Sequence, residues 1–177
     1  EIFTKKTFQK RTNKEKILGI FLGGCIFVIL IPILIIILSL SVDTYFNLPR
    51  FKWRYNSILS FSLISIGLLL IAWTVWTQLK IGKGGPLPII PTQKLIVVGP
   101  YKYCRNPMML GAILYYFGIS FYQHSFSALF FTILFFLLFV LYVKVIEEKE
   151  LAMRFGGVYL NYKETTPFII PKVKVKK

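Results

Sequence analysis

The chain has 177 residues, of which 55% are hydrophobic and 17% aromatic, and its formal net charge is +15. This apolar content exceeds that of ordinary soluble domains, so the composition excludes a soluble globular protein. The basic residues flank long uncharged segments, which favours membrane orientation over nucleic-acid binding as their role.

Two uncharged segments, residues 17–40 and 58–79, are long enough to cross a membrane. A hydrocarbon core about 30 Å thick requires roughly 20 apolar residues in a helix. A third uncharged run, residues 106–143, has one polar break at 120–127. It predicts a helical hairpin with a short first arm and a second arm over residues 125–143. The sequence therefore predicts an all-α integral membrane protein with about four transmembrane helices.

The distribution of Lys and Arg predicts the orientation. Residues 1–16, the 80–105 loop and the tail from residue 144 hold 19 of the 22 basic residues, and in a four-helix topology they share one face. The positive-inside rule places both termini and the glycine-rich loop in the cytoplasm. We expect the first apolar segment to be retained, because it is too long for a signal peptide and no small-residue cleavage site follows. The chain divides into a basic segment (1–16), two N-terminal helices (17–79) and a C-terminal core (80–177).

Several kinds of site are not indicated by the sequence. His124 is the only histidine and falls in the predicted hairpin turn, and no residues have metal-ligand spacing, so we expect no metal partner. We also expect no nucleic-acid partner. Cys25 and Cys104 are expected to be reduced packing residues. The segment "GKGG", residues 82–85, lacks the spacing of a nucleotide-binding loop and by itself indicates a flexible turn.

Charged residues lie at both ends of the predicted hairpin. Arg105 precedes its first arm, and Glu147 and Glu148 follow its second arm. Because the arms are antiparallel, a cation and two carboxylates are expected to meet at the membrane–water boundary. Two interpretations stay open: a structural ion pair, or a functional site, since ionisable groups at membrane depth are functional candidates.

The segment after the glutamate pair predicts an amphipathic helix on the cytoplasmic surface. Gly156–Gly157 indicates a break within it. Its apolar residues recur at helical spacing: Leu151, Phe155, Val158 and Tyr162. Such a helix would cover the ends of the hairpin.

The motifs of the C-terminal half together resemble a known family. The segment "GPYKYCRNPMMLG", the hydrophobic hairpin and the segment "EEKELAMRFGGVYLNYKETTPFIIP" occur in that order. This pattern is similar to that of membrane methyltransferases related to isoprenylcysteine carboxyl methyltransferases and phospholipid N-methyltransferases. Asn106 stands where the eukaryotic enzymes have His, and Met109 where Tyr is usual. The matching residues are Gly99, Tyr101, Arg105, Asn106, Pro107, Gly111, Glu147, Glu148, Leu151, Phe155, Gly156, Tyr159, Tyr162 and Pro171.

The resemblance implies S-adenosylmethionine as cofactor and a lipid or lipid-anchored methyl acceptor, with the active site on the cytoplasmic side. Glu147 and Glu148 would pair with the cofactor's positive charge, and Arg105 would meet a carboxylate bidentately. The expected reaction is in-line displacement at the sulfonium methyl, with Arg105 and Glu148 as catalytic residues. The expected cofactor-binding residues are Gly82, Gly84, Gln93, Leu95, Gly99, Tyr101, Arg105, Asn106, Pro107, Glu147 and Glu148.

Other interpretations stay open at this point. For a carboxylate acceptor Arg105 would position the nucleophile, whereas for an amine acceptor a Glu would accept the proton. Sterol reductases, which use a nicotinamide cofactor, have a similar C-terminal motif, but they usually place an acid after its glycine, where this chain has Ala112. A non-catalytic membrane subunit would bind no cofactor.

Overall fold

The computed structural model of the protein describes residue 19 and residues 21–82 and 92–171, and this part of the chain is helical without any strand. The predicted all-α class is therefore confirmed. A 3₁₀ turn, Gly99–Lys102, precedes the third helix. The helices in chain order are α1 (Phe21–Tyr45), α2 (Asn56–Gly82), α3 (Pro107–Tyr122), α4 (Phe126–Phe155) and α5 (Gly157–Thr165).

Three of these helices are long and apolar enough to cross a membrane: α1, α2 and α4, with 25, 27 and 30 residues. Helix α3, the predicted short arm, has 16 residues. At a rise of about 1.5 Å per residue it is about 24 Å long, which is less than a typical hydrocarbon core. Because eight of its residues are buried, α3 lies largely inside the bundle.

The hairpin is formed as predicted. His124 has a φ of 55° in the turn between α3 and α4, and its carbonyl accepts a hydrogen bond from the backbone N–H of Phe51 at 3.1 Å. Ser125 caps α4, since its side chain accepts a hydrogen bond from Ala128 N at 3.0 Å.

Helix α4 extends further than the sequence predicts. It does not end near residue 143 but continues through a π-helical turn, Val143–Glu147, to Phe155. Lys and Glu are good helix formers, so the charged residues do not stop it. The predicted break is present at Gly156, whose φ is 54°. This break shifts the helical phase, so Tyr159 is buried in α5, whereas Val158, expected on the apolar face, is exposed.

Glycines allow close contact between α2 and α3. A Cβ atom at Gly118 would lie 2.9 Å from both the backbone oxygen of Ser60 and the backbone nitrogen of Ile64. Gly67 and Gly111 face each other in the same way, with 2.6 Å from a Cβ at Gly67 to the Gly111 oxygen. Small residues of this kind let membrane helices approach closely. The contact fixes the end of α2 beside the start of α3.

Helix α1 is held to α3 by two tyrosines. The hydroxyl of Tyr116 donates to the carbonyl of Phe27 at 2.7 Å, and that of Tyr115 donates to Val28 at 3.1 Å. Both acceptors lie in a π-helical segment, Cys25–Leu30. Wider turns of this type leave carbonyl groups available to outside donors. This contact brings Phe27 to the end of the bundle where the cavities described below are found.

Candidate active site

A cavity of about 270 Å³ lies at the end of the bundle where α2 ends, α3 begins and α4 passes through its π-helical turn. Residues from α1, α2, α4, α5 and the 92–106 segment line it. Six of the residues predicted to bind the cofactor are among them: Leu95, Tyr101, Arg105, Asn106, Glu147 and Glu148.

The expected meeting of Arg105 with a carboxylate is present in the cavity wall. Arg105 Nη1 lies 2.6 Å from Glu148 Oε1, and the two side chains are 12% and 8% exposed. The second oxygen of Glu148 lies 2.7 Å from Lys163 Nζ on α5, whose side chain is 43% exposed. Glu148 is therefore held between two cations, of which Lys163 is the more exposed.

The other carboxylates of the cavity differ in their partners. Glu150 Oε1 lies 3.3 Å from Arg154 Nη1, and Arg154 also donates a hydrogen bond to the carbonyl of Thr92. Glu147 forms no ion pair with any residue that the structure describes. Of the three carboxylates that line the cavity, Glu147 is thus the one available to a cationic ligand.

The segment after α5 covers the start of α3. The backbone N–H groups of Arg105 and Asn106 donate to the carbonyls of Pro167 and Phe168 at 2.9 and 3.2 Å. The side-chain amide of Asn106 also donates to Phe168 O, at 3.0 Å. The ring of Phe168 lies 5.7 Å from the guanidinium carbon of Arg105 and 5.2 Å from Lys144 Nζ, within the range of cation–π contacts. Asn106 therefore anchors this segment with its amide N–H while lining the cavity.

Three tyrosines outside the long helices supply hydroxyl groups. Tyr162 donates to the carbonyl of Tyr101 at 2.7 Å, and Gln78 Nε2 donates to the Tyr101 hydroxyl at 2.7 Å. Burial raises the pKa of Tyr101 and of Tyr162. Burial, reinforced by the negative charge of Glu148, raises the pKa of Tyr159 to about 12. All three phenols are therefore protonated at neutral pH, and the O–H of Tyr162 is already used on the Tyr101 carbonyl.

A second cavity, of about 90 Å³, adjoins the first and reaches between the helices. Both cavities are lined by Gln78, Tyr101, Arg105, Asn106 and Glu147. Pro107, the first residue of α3, lines only the smaller one. The remaining wall of the smaller cavity is apolar and consists of Phe27, Ile71, Met108, Met109, Ala112, Phe139 and Val143.

Three of the predicted cofactor residues that the structure describes line neither cavity: Gly82, Gln93 and Gly99. Gly82 lies behind the wall, and its carbonyl accepts a hydrogen bond from Gln93 N at 2.7 Å. Gly99, with a φ of 62°, faces Thr77, since a Cβ there would lie 3.1 Å from Thr77 Oγ1. Gly84 lies outside the residues that the structure describes.

Sequence reasoning missed several lining residues, chiefly Phe27, Gln78 and Arg154. Phe27 and Gln78 lie in π-helical segments, Cys25–Leu30 and Gln78–Gly82, which no sequence signal predicts. Arg154 belongs to the segment that was predicted to cover the ends of the hairpin. Its spacing from Glu150, four residues earlier, was the available signal, because it predicts an ion pair on one face of a helix.

Cys104 does not belong to the reactive groups. It is a free thiol, 2% exposed, and burial raises its pKa, so it stays in the neutral form. Within residues 19, 21–82 and 92–171 no group of three or more His, Cys, Asp or Glu side chains is arranged to hold a metal ion.

Comparison with known proteins gives one match. A family model described as phospholipid methyltransferase matches residues 55–157. No curated protein and no solved structure matches the chain. The matched region begins next to α2 and ends at the first residue of α5, so it contains Arg105, Glu147 and Glu148 but not α1.

Proposed function

Because the chain belongs to the phospholipid methyltransferase family, whose model matches more than half of its residues, we propose that it transfers a methyl group from S-adenosylmethionine to an amine-bearing membrane lipid. The observation that carries the proposal is the cavity in which Glu147 lacks an ion-pair partner among the described residues, whereas both lining arginines are paired with carboxylates.

The polar atoms of the cavity fit this cofactor. S-Adenosylmethionine supplies a methyl group activated on a positively charged sulfonium, and it also carries an ammonium and a carboxylate. Within the described part of the chain, three buried polar atoms of lining residues have no hydrogen-bond partner: Gln78 Oε1, Arg105 Nε and Arg154 Nε. These are one acceptor and two donors, and Glu147 adds a carboxylate without an ion pair among the described residues. Such a mixed set suits a ligand with charges of both signs.

Each residue then has a defined role. Glu147 would hold the positive charge of the cofactor, and the free Nε–H of Arg105 would donate to its carboxylate. Glu148 binds Arg105 and Lys163, so its proposed role is to orient the guanidinium and not to contact the cofactor. This changes the sequence expectation, in which Glu148 was catalytic.

An amine acceptor fits the cavity better than a carboxylate. A carboxylate nucleophile needs a free cation, and Arg105 and Arg154 are paired with Glu148 and Glu150. An amine attacks through its lone pair in the neutral form, so it needs no such cation. The apolar wall of the smaller cavity, between α3 and α4, would hold the part of the lipid next to the amine.

The orientation in the membrane is part of the same proposal. Three apolar helices make the chain an integral membrane protein. We propose that α3 crosses with them as a fourth, protein-enclosed span, which places residues 80–105 and the C-terminal segment on one side. The excess of Lys and Arg in these segments supports a cytoplasmic site with both termini in the cytoplasm.

Binding of the cofactor product tests the first half of the proposal. S-Adenosylhomocysteine should raise the melting temperature of the purified protein in detergent, because a ligand of the native state stabilises it. The substitution Glu147→Gln should weaken methyl transfer while Asp43→Asn, at the other end of the bundle, leaves it intact. A folded wild-type sample with no shift at millimolar ligand contradicts cofactor binding.

A two-substrate assay tests the second half. Vesicles that contain an aminophospholipid and vesicles that contain a prenylated cysteine are each incubated with the protein and labelled S-adenosylmethionine, and the products are identified by mass. Label in the aminophospholipid supports the proposal. Label only in the carboxyl ester of the prenylated cysteine refutes the amine acceptor but retains the cofactor.

A further inference from the structure

The side chain of Gln78 is fixed at the end of α2. It begins the π-helical turn Gln78–Gly82, and its Nε2 donates to the hydroxyl of Tyr101 at 2.7 Å. Tyr101 is itself held, since its carbonyl accepts a hydrogen bond from Tyr162 at 2.7 Å. These contacts restrain the position of the Gln78 side chain beside Tyr101.

The other half of the same amide has no partner. Gln78 Oε1 is buried, and no residue in the described ranges donates a hydrogen bond to it. Buried carbonyl oxygens without a donor are rare in native proteins, and each one requires an explanation. Bonding to a ligand is the explanation that the position of Gln78 favours, because the residue lines both cavities.

The surroundings of Gln78 indicate the chemistry of that ligand. The free oxygen accepts hydrogen bonds only, and Glu147, which lines the same two cavities, adds a carboxylate that forms no ion pair with a described residue. Among the groups that line both cavities, the Gln78 oxygen and the Glu147 carboxylate are thus acceptors that suit a ligand group bearing N–H.

We propose that Gln78 is a specificity-determining residue whose Oε1 accepts a hydrogen bond from an N–H group of the bound ligand at the junction of the two cavities. The inference depends on the proposed methyltransferase function and extends it to a residue that neither the motifs nor the family pattern indicated. Two ligands carry suitable N–H groups: the cofactor, and the amine of the lipid acceptor.

The substitution Gln78→Leu tests this contact, with Gln123→Leu as the matched control. Gln123 lies at the opposite end of the bundle and lines neither cavity. Two quantities are measured on each variant: the Kd of S-adenosylhomocysteine for the purified protein, and the KM and kcat for aminophospholipid vesicles. Gln78→Glu is the conservative variant, because it keeps an oxygen acceptor at the same reach.

A hydrogen bond to a charged N–H group corresponds to roughly a tenfold change or more. If the cofactor is the partner, Gln78→Leu weakens S-adenosylhomocysteine binding by at least about tenfold. If the acceptor is the partner, that Kd is unchanged and kcat/KM for the lipid falls by at least about tenfold. In either case the affected value, Kd or kcat/KM, stays close to that of the wild type in Gln78→Glu and equals it in Gln123→Leu.

Wild-type values of both quantities in Gln78→Leu would overturn the inference while leaving the methyltransferase function intact. Equal losses in Gln78→Leu and Gln78→Glu would also overturn it, because they would indicate that only the fit of glutamine in the fold matters. If Gln78→Leu does not fold, Gln78→Glu is compared with Gln78→Met, which has similar length but no strong acceptor. Equal Kd and kcat/KM in these two variants refute the hydrogen bond. A failure of the wild-type protein to bind S-adenosylhomocysteine refutes the proposed function itself.

Discussion

The two ends of the helix bundle both contain buried polar atoms that lack a partner among the described residues. At the cavity end they belong to Gln78, Arg105 and Arg154. At the opposite end, where α1 meets the turn between α3 and α4, they belong to Asp43, Asn56 and Gln123. The first three line the large cavity, whereas the second three line neither of the two cavities.

The difference lies in what surrounds the polar groups. At the turn end, Asn56 donates to the carbonyl of Phe121, and Gln123 accepts from the Ser39 hydroxyl at 3.2 Å. These side chains connect the ends of helices to each other. At the cavity end, helices and loop segments surround an open volume instead. Unpaired buried atoms therefore indicate a ligand site only where there is room for a ligand.

The largest effect on methyl transfer is expected for the ion pair between Arg105 and Glu148 at the cavity end. Arg105→Ala and Glu148→Gln should each reduce methyl transfer by at least about tenfold, because a charge-assisted contact contributes roughly 1.5–3 kcal/mol. If Glu148 acts by orienting Arg105, the double variant should lose no more activity than Arg105→Ala alone. Initial rates and thermal stability are measured on the same preparations. A stability loss with an unchanged rate of the folded protein would mean that the pair is only structural.

A large effect on stability is expected near the turn end. Gly118→Ala should lower the free energy of unfolding by about 1–3 kcal/mol, because the new methyl group would press on the backbone of α2. Gly24→Ala is the matched control, since a Cβ there has no neighbour within 4 Å in the part of the chain that the structure describes. Thermal unfolding in detergent measures both variants. S-Adenosylhomocysteine affinity of folded Gly118→Ala should equal that of the wild type, and a large loss would show that the two ends are coupled.

A smaller, opposite effect is expected for Asp43. The residue is 8% exposed, and neither carboxylate oxygen has a partner in the described part of the chain. Asp43→Asn removes a buried charge and should raise the free energy of unfolding by about 1 kcal/mol. The rate of methyl transfer should not change. A rate that falls with Asp43→Asn would assign a functional role to the turn end and would break the contrast between the two ends.

The smallest effect is expected for Lys163. It contacts the same carboxylate as Arg105, at 2.7 Å, but its side chain is 43% exposed. Exposed ion pairs contribute less than about 1 kcal/mol, so Lys163→Met should reduce the rate by only a fewfold. The rate is compared with that of Arg105→Ala at low and high salt. Equal losses of rate in Lys163→Met and Arg105→Ala would mean that methyl transfer depends on Glu148 itself and not on the orientation of Arg105.

The sequence alone predicted the features that depend on local pattern. Hydropathy indicated the apolar helices, and the polar break at 120–127 indicated the hairpin. The antiparallel arms brought Arg105 to Glu148, as expected from their positions at the two ends of one hairpin. These features can be predicted from the sequence for two reasons. A membrane helix needs a continuous apolar stretch, and a short turn makes the two helices that it joins antiparallel neighbours.

Only the tertiary structure determined which carboxylate lacks an ion pair among the described residues and which side chains line the cavity. Glu147 and Glu148 are adjacent in the sequence, but neighbouring residues of a helix point about 100° apart. The π-helical turn Val143–Glu147 determines that Glu148, and not Glu147, points toward Arg105 and Lys163. Gln78 reaches the cavity through a similar turn at the end of α2. Such turns arise where packing of neighbouring helices outweighs local backbone preference, so they depend on residues far away in the chain.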